Sequence, residues 1–320
     1  MRVRDLIKKT VSRARRVAAA AAAPVASAPV APGTQIGSSE TQDYWSDFNV
    51  TLHHQFRTAE ESIAYFDWRN DQYFGYIERM PVAGFDGKRV LDFGCGPGHD
   101  VVGFAVHSKP SRLVGADISP RSVAEARHRL KLHSDTAEII QMDPSAAKLP
   151  FEDASFDHIH SSGVLHHAPD LGLLLRELYR VLAPGGTLNI MVYNYDSLWM
   201  HLHVAYSKQV VEKAYPGLSL REAYTRTTDT EDCPIADCYT PDEFLAHTSK
   251  AGFKGVFAGA GISMHELLIA PTRFAAIQNR ELPAESRRFL LALKVDEHGY
   301  PTYNGHLAGI DACYHLTKPE

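Results

Sequence analysis

The sequence predicts an α/β fold organised around one nucleotide-binding βα unit. The stretch Val90–Phe93 has the length and apolar character of a buried strand, and a glycine-dense turn leads from it into the apolar helix start Val101–Phe104. A strand, a tight glycine turn and a helix in this order form the front of such a unit. Strand-like and helix-like segments then alternate to about residue 193, which favours strands joined by helices.

The composition is typical of a soluble globular protein, with 44% hydrophobic and 22% charged residues in a chain of 320. This length allows one large domain with insertions or two small domains. The formal net charge of -5 argues against nucleic acid as the main partner. Four scattered cysteines favour a reducing, cytoplasmic compartment. No apolar run is long enough to span a bilayer.

The glycine turn has the pattern G-x-G-x-G, with Gly94, Gly96 and Gly98 at alternate positions. Dinucleotide enzymes use the longer G-x-G-x-x-G spacing instead. Asp92 lies two residues before the first glycine, where a carboxylate would repel a pyrophosphate and attract a cation. The turn therefore favours S-adenosylmethionine, whose sulfonium and amino group are both positive, over NAD.

Asp117 follows the second predicted strand, Arg112–Ala116, and its distance from Asp92 along the chain fits an acid that binds ribose hydroxyls. One carboxylate can accept hydrogen bonds from both hydroxyls. A helix to Leu132 follows, with Ser119 as its N-cap. We therefore interpret Asp117 as a ribose ligand rather than as an acid that only precedes a helix.

Three later stretches extend the pattern that the glycine turn begins. They are Asp143 with Leu149–Phe151, Gly163–Asp170 and Glu177–Gly186. In this order the motifs resemble those of class I S-adenosylmethionine-dependent methyltransferases of the type 11 kind, over about half of the chain. The resemblance implies a Rossmann-like, seven-stranded, mostly parallel sheet with helices on both faces. It also implies an N-terminal helical cap, a lid insertion after strand five, and a ligand at the carboxyl ends of the strands.

The resemblance further implies which residues bind S-adenosylmethionine and which act on the acceptor. The expected cofactor-binding residues are Asp92, Gly94, Cys95, Gly96, Asp117, Ile118, Asp143 and Ser161. Some sugar O-methyltransferases of similar sequence use the histidine after strand four as general base, so His166 is the first candidate and His167 the second. An acid near the end of strand five can assist in those enzymes. It is not reproduced here, where the chain has Val192, Tyr193 and Asn194.

An insertion from residue 194 to 239 follows the fifth strand, where a loop covers the acceptor site in this family. We interpret it as a lid with Tyr193, His201 and His203 as substrate-binding candidates. A packed helical insertion or an oligomer surface is the alternative. Cys233 and Cys238 form a C-x4-C pair without the second pair that a structural zinc site requires. No metal is therefore predicted.

The predicted organisation is a tail followed by one methyltransferase domain. Its parts are a basic, Ala/Pro-rich tail and linker at 1–40, an N-terminal cap at 41–85, a cofactor-binding half at 86–193, the lid at 194–239 and a C-terminal substrate half at 240–320. The tail is interpreted as solvated and disordered, with weak membrane-surface contact as an alternative. A secretory signal is disfavoured because no leucine-rich apolar core follows the basic part.

Together these features predict a methyltransferase that acts on a small-molecule or glycan acceptor, most simply by O-methylation with a histidine base. A C- or N-methyltransferase, an NAD-binding oxidoreductase and a catalytically silent scaffold of the same fold remain alternatives. A homodimer is compatible with the sequence but no feature of it requires one.

Overall fold

The computed structural model describes residues 35–133 and 137–320, and the predicted basic tail lies outside these residues. Its strands are β1 (Tyr73–Phe74), β2 (Arg89–Phe93), β3 (Arg112–Asp117), β4 (Glu138–Gln141), β5 (Phe156–Ser162), β6 (Leu182–Tyr193), β7 (Lys254–Ser263), β8 (Lys294–Val295), β9 (Pro301–Tyr303), β10 (His306–Leu307) and β11 (Asp311–Thr317). Eight of them form the central sheet, and β8, β9 and β10 form a small antiparallel sheet.

The helices lie between these strands or precede them. They are α1 (Ser39–Asp47), α2 (Ala59–Asp71), α3 (His99–His107), α4 (Pro120–Leu132), α5 (Leu171–Val181), α6 (Leu220–Thr228), α7 (Pro241–Lys250), α8 (Met264–Ile269), α9 (Arg273–Gln278) and α10 (Ala284–Ala292), with 3-10 turns at Leu165–His167 and Ala270–Thr272 and a π-helix at Trp199–Val211. Their starts follow local side-chain chemistry. Thr240 and Glu243 form a reciprocal capping box at α7, and the Ser119 hydroxyl caps α4.

The central sheet has the order β1-β7-β11-β6-β5-β2-β3-β4. Strands β2 to β6 pair in parallel, and β11 runs antiparallel between β6 and β7. The predicted Rossmann-like fold is confirmed. The strand order reverses at β2, because β3 and β4 lie on one side of it and β5 and β6 on the other. Ligands bind at such a switch point in open α/β sheets.

One strand of the central sheet was not predicted, and neither was the small sheet of β8, β9 and β10. The two-residue strand β1 pairs antiparallel with the end of β7, where Tyr73 lies opposite Ser263. It follows closely on helix α2, which ends at Asp71. A strand of two residues is too short to show an alternating pattern, so sequence periodicity could not detect it.

The interior strands are buried on both faces, as expected when helices cover a parallel sheet. Leu91, Ile159 and Leu188, from β2, β5 and β6, are each 0% exposed and belong to one core cluster. Helix α5 packs its apolar side on this cluster through Leu174 and Leu178. The rigid sheet therefore fixes the positions of the residues at its carboxyl edge.

The cap before β2 begins earlier than predicted, within the segment assigned to the linker. The N–H groups of Ile36 and Gly37 donate to the carbonyls of Ala146 and Pro144 at 2.9 and 3.0 Å, and Ile36 is buried. Helix α1 continues this cap over the carboxyl ends of β3 and β4. No helix within residues 35–133 or 137–320 has both the length and the apolar character needed to cross a bilayer.

Candidate active site

A cavity of about 470 Å³ opens at the carboxyl edge of the central sheet. Its wall contains residues from the ends of four neighbouring strands: Gly94 after β2, Asp117 of β3, Ser162 of β5 and Tyr193 of β6. The N-terminal cap and the 194–239 insertion supply further parts of the wall. The cavity thus lies at the switch point of the sheet, where the fold predicts a ligand.

The glycines of the turn serve different purposes. Gly94, Gly96 and Gly98 all have positive φ angles, of 74°, 50° and 80°. A Cβ on Gly94 would overlap the side chain of Val164, so this glycine allows close packing. A Cβ on Gly96 would meet no atom within 4 Å, because Gly96 lines the cavity. The absent side chain at Gly96 therefore leaves room for a ligand against the backbone.

Asp117 lies at the cavity wall with its carboxylate fixed by the backbone. Its Oδ2 accepts the Gly96 N–H at 2.8 Å and its Oδ1 accepts the Ser119 N–H at 2.7 Å. Burial raises the pKa of Asp117, although these hydrogen bonds favour the ionised form. Each carboxylate oxygen can accept a further hydrogen bond. The geometry suits the ribose role predicted for this residue.

Two other predicted cofactor residues, Cys95 and Ile118, line the cavity, whereas three, Ser161, Asp143 and Asp92, do not. The Ser161 hydroxyl is buried and donates to the Phe93 carbonyl at 3.0 Å, and the adjacent Ser162 lines the cavity instead. Asp143 is exposed, and its carboxylate accepts the N–H of the residue two positions ahead at 2.9 Å. Its proposed contact with adenine would require this carboxylate to reorient.

Asp92 lies behind the glycine turn rather than in the cavity wall. It is 2% exposed, its Oδ2 has no hydrogen bond, and it forms a compact group with Asp100 and His160. Burial raises the pKa of Asp92. Burial alone would also raise the pKa of Asp100, but pairing with the His160 imidazole, at 3.3 Å, holds that pKa well below its usual range. Asp100 is the acid of this group that lines the cavity.

Arg69 of helix α2 is a cavity residue that the sequence motifs did not single out. Its guanidinium carbon lies 5.6 Å from the Tyr73 ring centroid and 5.2 Å from that of Tyr76, and its Nη1 is buried without a hydrogen bond. Within the part of the chain that the structure describes, Arg69 forms no ion pair at 4.0 Å or less. Its charge lowers the pKa of the buried Asp100 and Asp311, and a cation in a cavity wall also favours an anionic ligand group.

The two histidines after β5 occupy different environments. His166 is 0% exposed and does not line the cavity. Its ring stacks on Tyr193 with centroids 3.7 Å apart, and its Nδ1 accepts the Tyr193 N–H at 3.3 Å. His167 lines the cavity. The predicted first choice of base therefore lies behind Tyr193, and the second choice faces the open space.

The tautomer of His167 follows from its partner. Its Nδ1 lies 2.5 Å from the Ile235 carbonyl, which can only accept a hydrogen bond, so Nδ1 carries the proton. The lone pair of the neutral ring is then on Nε2, which is buried and has no hydrogen bond. Burial lowers the pKa of His167, although the nearby Asp229 opposes this. His167 is therefore a neutral base at neutral pH.

The insertion after β6 contributes an acid that sequence motifs did not reveal. Asp229 and Thr230, just beyond helix α6, line the cavity. Asp229 Oδ1 accepts the Tyr193 hydroxyl at 2.9 Å, and its Oδ2 is buried without a hydrogen bond, 4.0 Å from His167 Nε2. An acid about 60 residues from the histidine motif has no local sequence signal, so only the fold brings it there.

The predicted substrate residues separate in the structure. Tyr193 lines the cavity, whereas His201 and His203 of the π-helix are not in its wall. His201 contacts the Ser286 hydroxyl at 3.1 Å, and His203 lies 3.1 Å from His265. Burial lowers the pKa of both histidines to about 3. We therefore do not assign either histidine a contact with the acceptor.

Comparisons with known proteins indicate a methyltransferase domain within this chain. Residues 91–190 match a family described as a methyltransferase domain. The 27-O-demethylrifamycin SV methyltransferase of Amycolatopsis mediterranei is 29% identical over 48% of this chain and 50% of its own length. The malonyl-[acyl-carrier protein] O-methyltransferase of Erwinia billingiae is 39% identical over 35% of this chain and 41% of its own. The demethylmenaquinone methyltransferase of Thermus thermophilus is 31% identical over 39% of this chain and 54% of its own.

The chain spans about half the length of these relatives. Residues 91–190, which match the family, contain the glycine turn, Asp117 and the histidine motif. The cofactor of such a domain is S-adenosylmethionine, and the room beside Gly96 and the fixed Asp117 carboxylate fit it. The dinucleotide alternative is thereby set aside. From the sheet order, the turn and the family match together, residues 91–190 and the sheet that they build are similar to a class I S-adenosylmethionine-dependent methyltransferase domain.

Proposed function

We propose that this protein methylates a hydroxyl group of a small-molecule acceptor, with His167 as the general base. The observation that carries the proposal is the free Nε2 lone pair of His167. It faces Asp229 across 4.0 Å in the same cavity as the glycine turn. S-adenosylmethionine, when bound, supplies a methyl group on a positively charged sulfur.

Other residues of the cavity are suited to bind the cofactor and to close the site. Asp117 and the backbone at Gly96 are suited to hold the ribose end of the cofactor, and Arg69 is suited to its carboxylate. Tyr193 closes the cavity above His166, and its hydroxyl fixes Asp229. The N-terminal cap covers the cofactor side, which limits water in the cavity and strengthens its electrostatic interactions.

An acceptor hydroxyl placed between His167 and Asp229 could donate its proton to His167 Nε2 while its oxygen takes up the methyl group. The ring would then be a cation, and Asp229 would stabilise it as an adjacent carboxylate. The Ile235 carbonyl keeps Nδ1 protonated throughout, so only Nε2 can take the proton. The exposed apolar residues Phe48, Val50 and Leu52 line the mouth of the cavity. This rim favours an acceptor with an apolar body over a glycan.

The test is the release of S-adenosylhomocysteine with a panel of hydroxylated acceptors, including phenols, polyketides and sugars. His167→Ala should lower turnover by about 10²–10⁴-fold, the usual contribution of a positioned base. The affinity for S-adenosylhomocysteine should remain nearly unchanged, because His167 is not assigned to the cofactor.

His166→Ala is the matched control for this test. It removes the adjacent ring, which supports Tyr193 but does not face the cavity. We expect a smaller loss of turnover and a lower melting temperature. Full activity of His167→Ala with an acceptor that the parent methylates would refute the base. Methylation at carbon or nitrogen alone would refute O-methylation.

A further inference from the structure

Two side chains of the cavity wall, His167 and Asp229, and the buried Cys233 beside them have the chemistry of a metal site. His167, Asp229 and Cys233 each place one donor atom within 4.8 Å of the others. The three residues come from two distant parts of the chain, the turn after β5 and the segment after α6. Imidazole nitrogen, carboxylate oxygen and thiolate sulfur are the donors that zinc accepts in proteins.

Among residues 35–133 and 137–320, two of these donor atoms have no hydrogen-bond partner. His167 Nε2 and Asp229 Oδ2 are both buried and form no hydrogen bond, and both residues line the cavity. Buried polar atoms without partners are uncommon and costly, so a ligand between them would stabilise the protein. Cys233 is 3% exposed and, unlike the other two donors, already has a partner: its Sγ donates to the Ile235 carbonyl at 3.3 Å and lies 3.9 Å from the protonated Nδ1 of His167.

The surroundings already orient these side chains. The Ile235 carbonyl accepts the Nδ1–H of His167, and metal-bound histidines commonly donate their second N–H to such an acceptor. The Tyr193 hydroxyl holds the other oxygen of Asp229. Donors around a tetrahedral zinc ion lie about 3.3–3.8 Å apart, given metal–ligand distances of about 2.0–2.3 Å. The observed 4.0 Å between Nε2 and Oδ2 requires only a small movement.

We propose that His167, Asp229 and Cys233 bind a divalent zinc ion, with its fourth position open to the cavity, and that the bound ion inhibits methyl transfer. Burial raises the pKa of Cys233 to about 12, so it is a neutral thiol without the metal. Binding forms the zinc–sulfur bond and releases the thiol proton to solvent. Zinc on Nε2 occupies the lone pair that takes the acceptor proton. The inhibitory effect rests on the proposed base, but the binding does not.

The experiment uses Co²⁺ as a spectroscopic substitute for zinc, titrated into the full-length protein without cofactor or acceptor. A thiolate ligand gives a charge-transfer band in the near ultraviolet, which a site of histidines alone does not give. We expect this band to saturate at one Co²⁺ per chain and to disappear when one equivalent of Zn²⁺ is added.

Two cysteine variants provide the matched comparison. Cys233→Ser should remove the band and weaken Co²⁺ binding at least tenfold in equilibrium dialysis. Cys238→Ser should change neither, because Cys238 is equally buried but contacts Arg221 instead. Asp229→Asn, nearly equal in size to the parent residue, should weaken binding at least tenfold while the band persists at saturation.

The binding proposal is overturned if the parent shows no band, or if the band persists in a folded Cys233→Ser protein. Failure of the proposed function gives a different result, since the Co²⁺ titration needs no turnover. If Zn²⁺ binds in this way but leaves turnover unchanged, the inhibitory part of the proposal is wrong.

Discussion

At the scale of single residues, the role of each polar side chain in the site depends on its hydrogen-bond partners. Asp117 uses both oxygens to fix the backbone of the turn, so its removal affects structure as well as binding. His166 and His167 are neighbours in the chain, yet one supports Tyr193 and the other faces the cavity. Two residues of the same type can therefore have different roles, because their hydrogen-bond and packing partners differ.

Asp117→Ala should weaken the binding of S-adenosylhomocysteine by about 1–3 kcal/mol, because hydrogen bonds to a charged group are lost. Isothermal titration calorimetry measures this change. The variant should also unfold more easily, since the N–H groups of Gly96 and Ser119 lose their acceptor. Unchanged affinity would contradict the ribose assignment.

Gly96→Val and Gly94→Ala separate the two uses of glycine in the turn. Gly96→Val should abolish cofactor binding because its side chain enters the cavity, while its φ of 50° adds strain. Gly94→Ala should mainly lower stability, because its methyl group overlaps Val164. Calorimetric binding and thermal melting of both variants check this. Equal binding losses with equal melting temperatures would contradict the distinction.

Asp311 should make the ligand-free protein less stable as the pH rises. It is 4% exposed, and burial raises its pKa to about 7, although Arg69 opposes this. The folded state therefore binds a proton that the unfolded state releases at lower pH, and stability falls between about pH 4 and pH 7. Relative to Asp311→Asn, the parent should lose about 1–3 kcal/mol between pH 5 and pH 8 in urea unfolding.

The control for this measurement is Asp232→Asn, a substitution at an exposed aspartate. Its stability difference from the parent should not change with pH. The burial effect assigned to Asp311 is wrong if the parent and Asp311→Asn show the same pH profile.

At the scale of elements, the N-terminal cap is fastened to the cofactor-binding half by a few polar contacts. Gln42 of α1 donates to the Ile118 carbonyl at 2.7 Å. The loop after α1 is held by Glu125 of α4, whose Oε2 accepts the Asn49 amide at 2.6 Å and whose Oε1 lies 2.8 Å from His53 Nδ1. Because residues of this loop line the cavity, its opening and ligand exchange should be coupled.

Glu125→Ala should therefore accelerate release of S-adenosylhomocysteine by about tenfold, the effect of losing about 1.4 kcal/mol of closing interactions. Stopped-flow displacement measures the rate. Glu138→Ala, which removes an exposed ion pair with Arg112, is the control and should leave the rate unchanged. Equal release rates for Glu125→Ala and the parent would show that this loop does not control exchange.

At the scale of the whole molecule, one cavity joins parts of the chain that were predicted as separate regions. The cap supplies Arg69, the glycine turn supplies Gly96, and the insertion after β6 supplies Asp229. The insertion thus reaches the cavity through the segment after α6, while its π-helix packs against α10. The segment after α6 therefore lies in the cavity wall, whereas His201 and His203 do not.

S-adenosylhomocysteine at about 100 times its dissociation constant should stabilise the protein by about 2.7 kcal/mol, because it binds only the folded state. For a domain of this size, the melting temperature should rise by about 5–10 °C. NAD at the same concentration should produce no shift, and differential scanning fluorimetry compares the two. A shift with NAD alone would contradict the cofactor assignment.

The sequence by itself determined the fold and the cofactor, and of its eight predicted cofactor-binding residues five line the cavity. The glycine turn, Asp117 and the later motifs are short stretches whose order along the chain identifies the family, and strand ends in a parallel sheet bring them to one edge. Each of these motifs reflects a local requirement, either a turn that needs glycine or an acid at the end of a strand. No tertiary contact was needed to recognise them.

The tertiary structure decided the acceptor half. Beyond β5 the chain forms a 3-10 turn rather than a continuing strand, so alternation could not say whether His166 or His167 faces the cavity. Asp229 and Cys233 reach His167 across more than 60 residues, and no spacing rule connects them. The Cys233–Cys238 pair was the visible pattern, but Cys233 lies beside a histidine and an aspartate instead. Side-chain direction and long-range contact follow from packing, which a linear pattern does not contain.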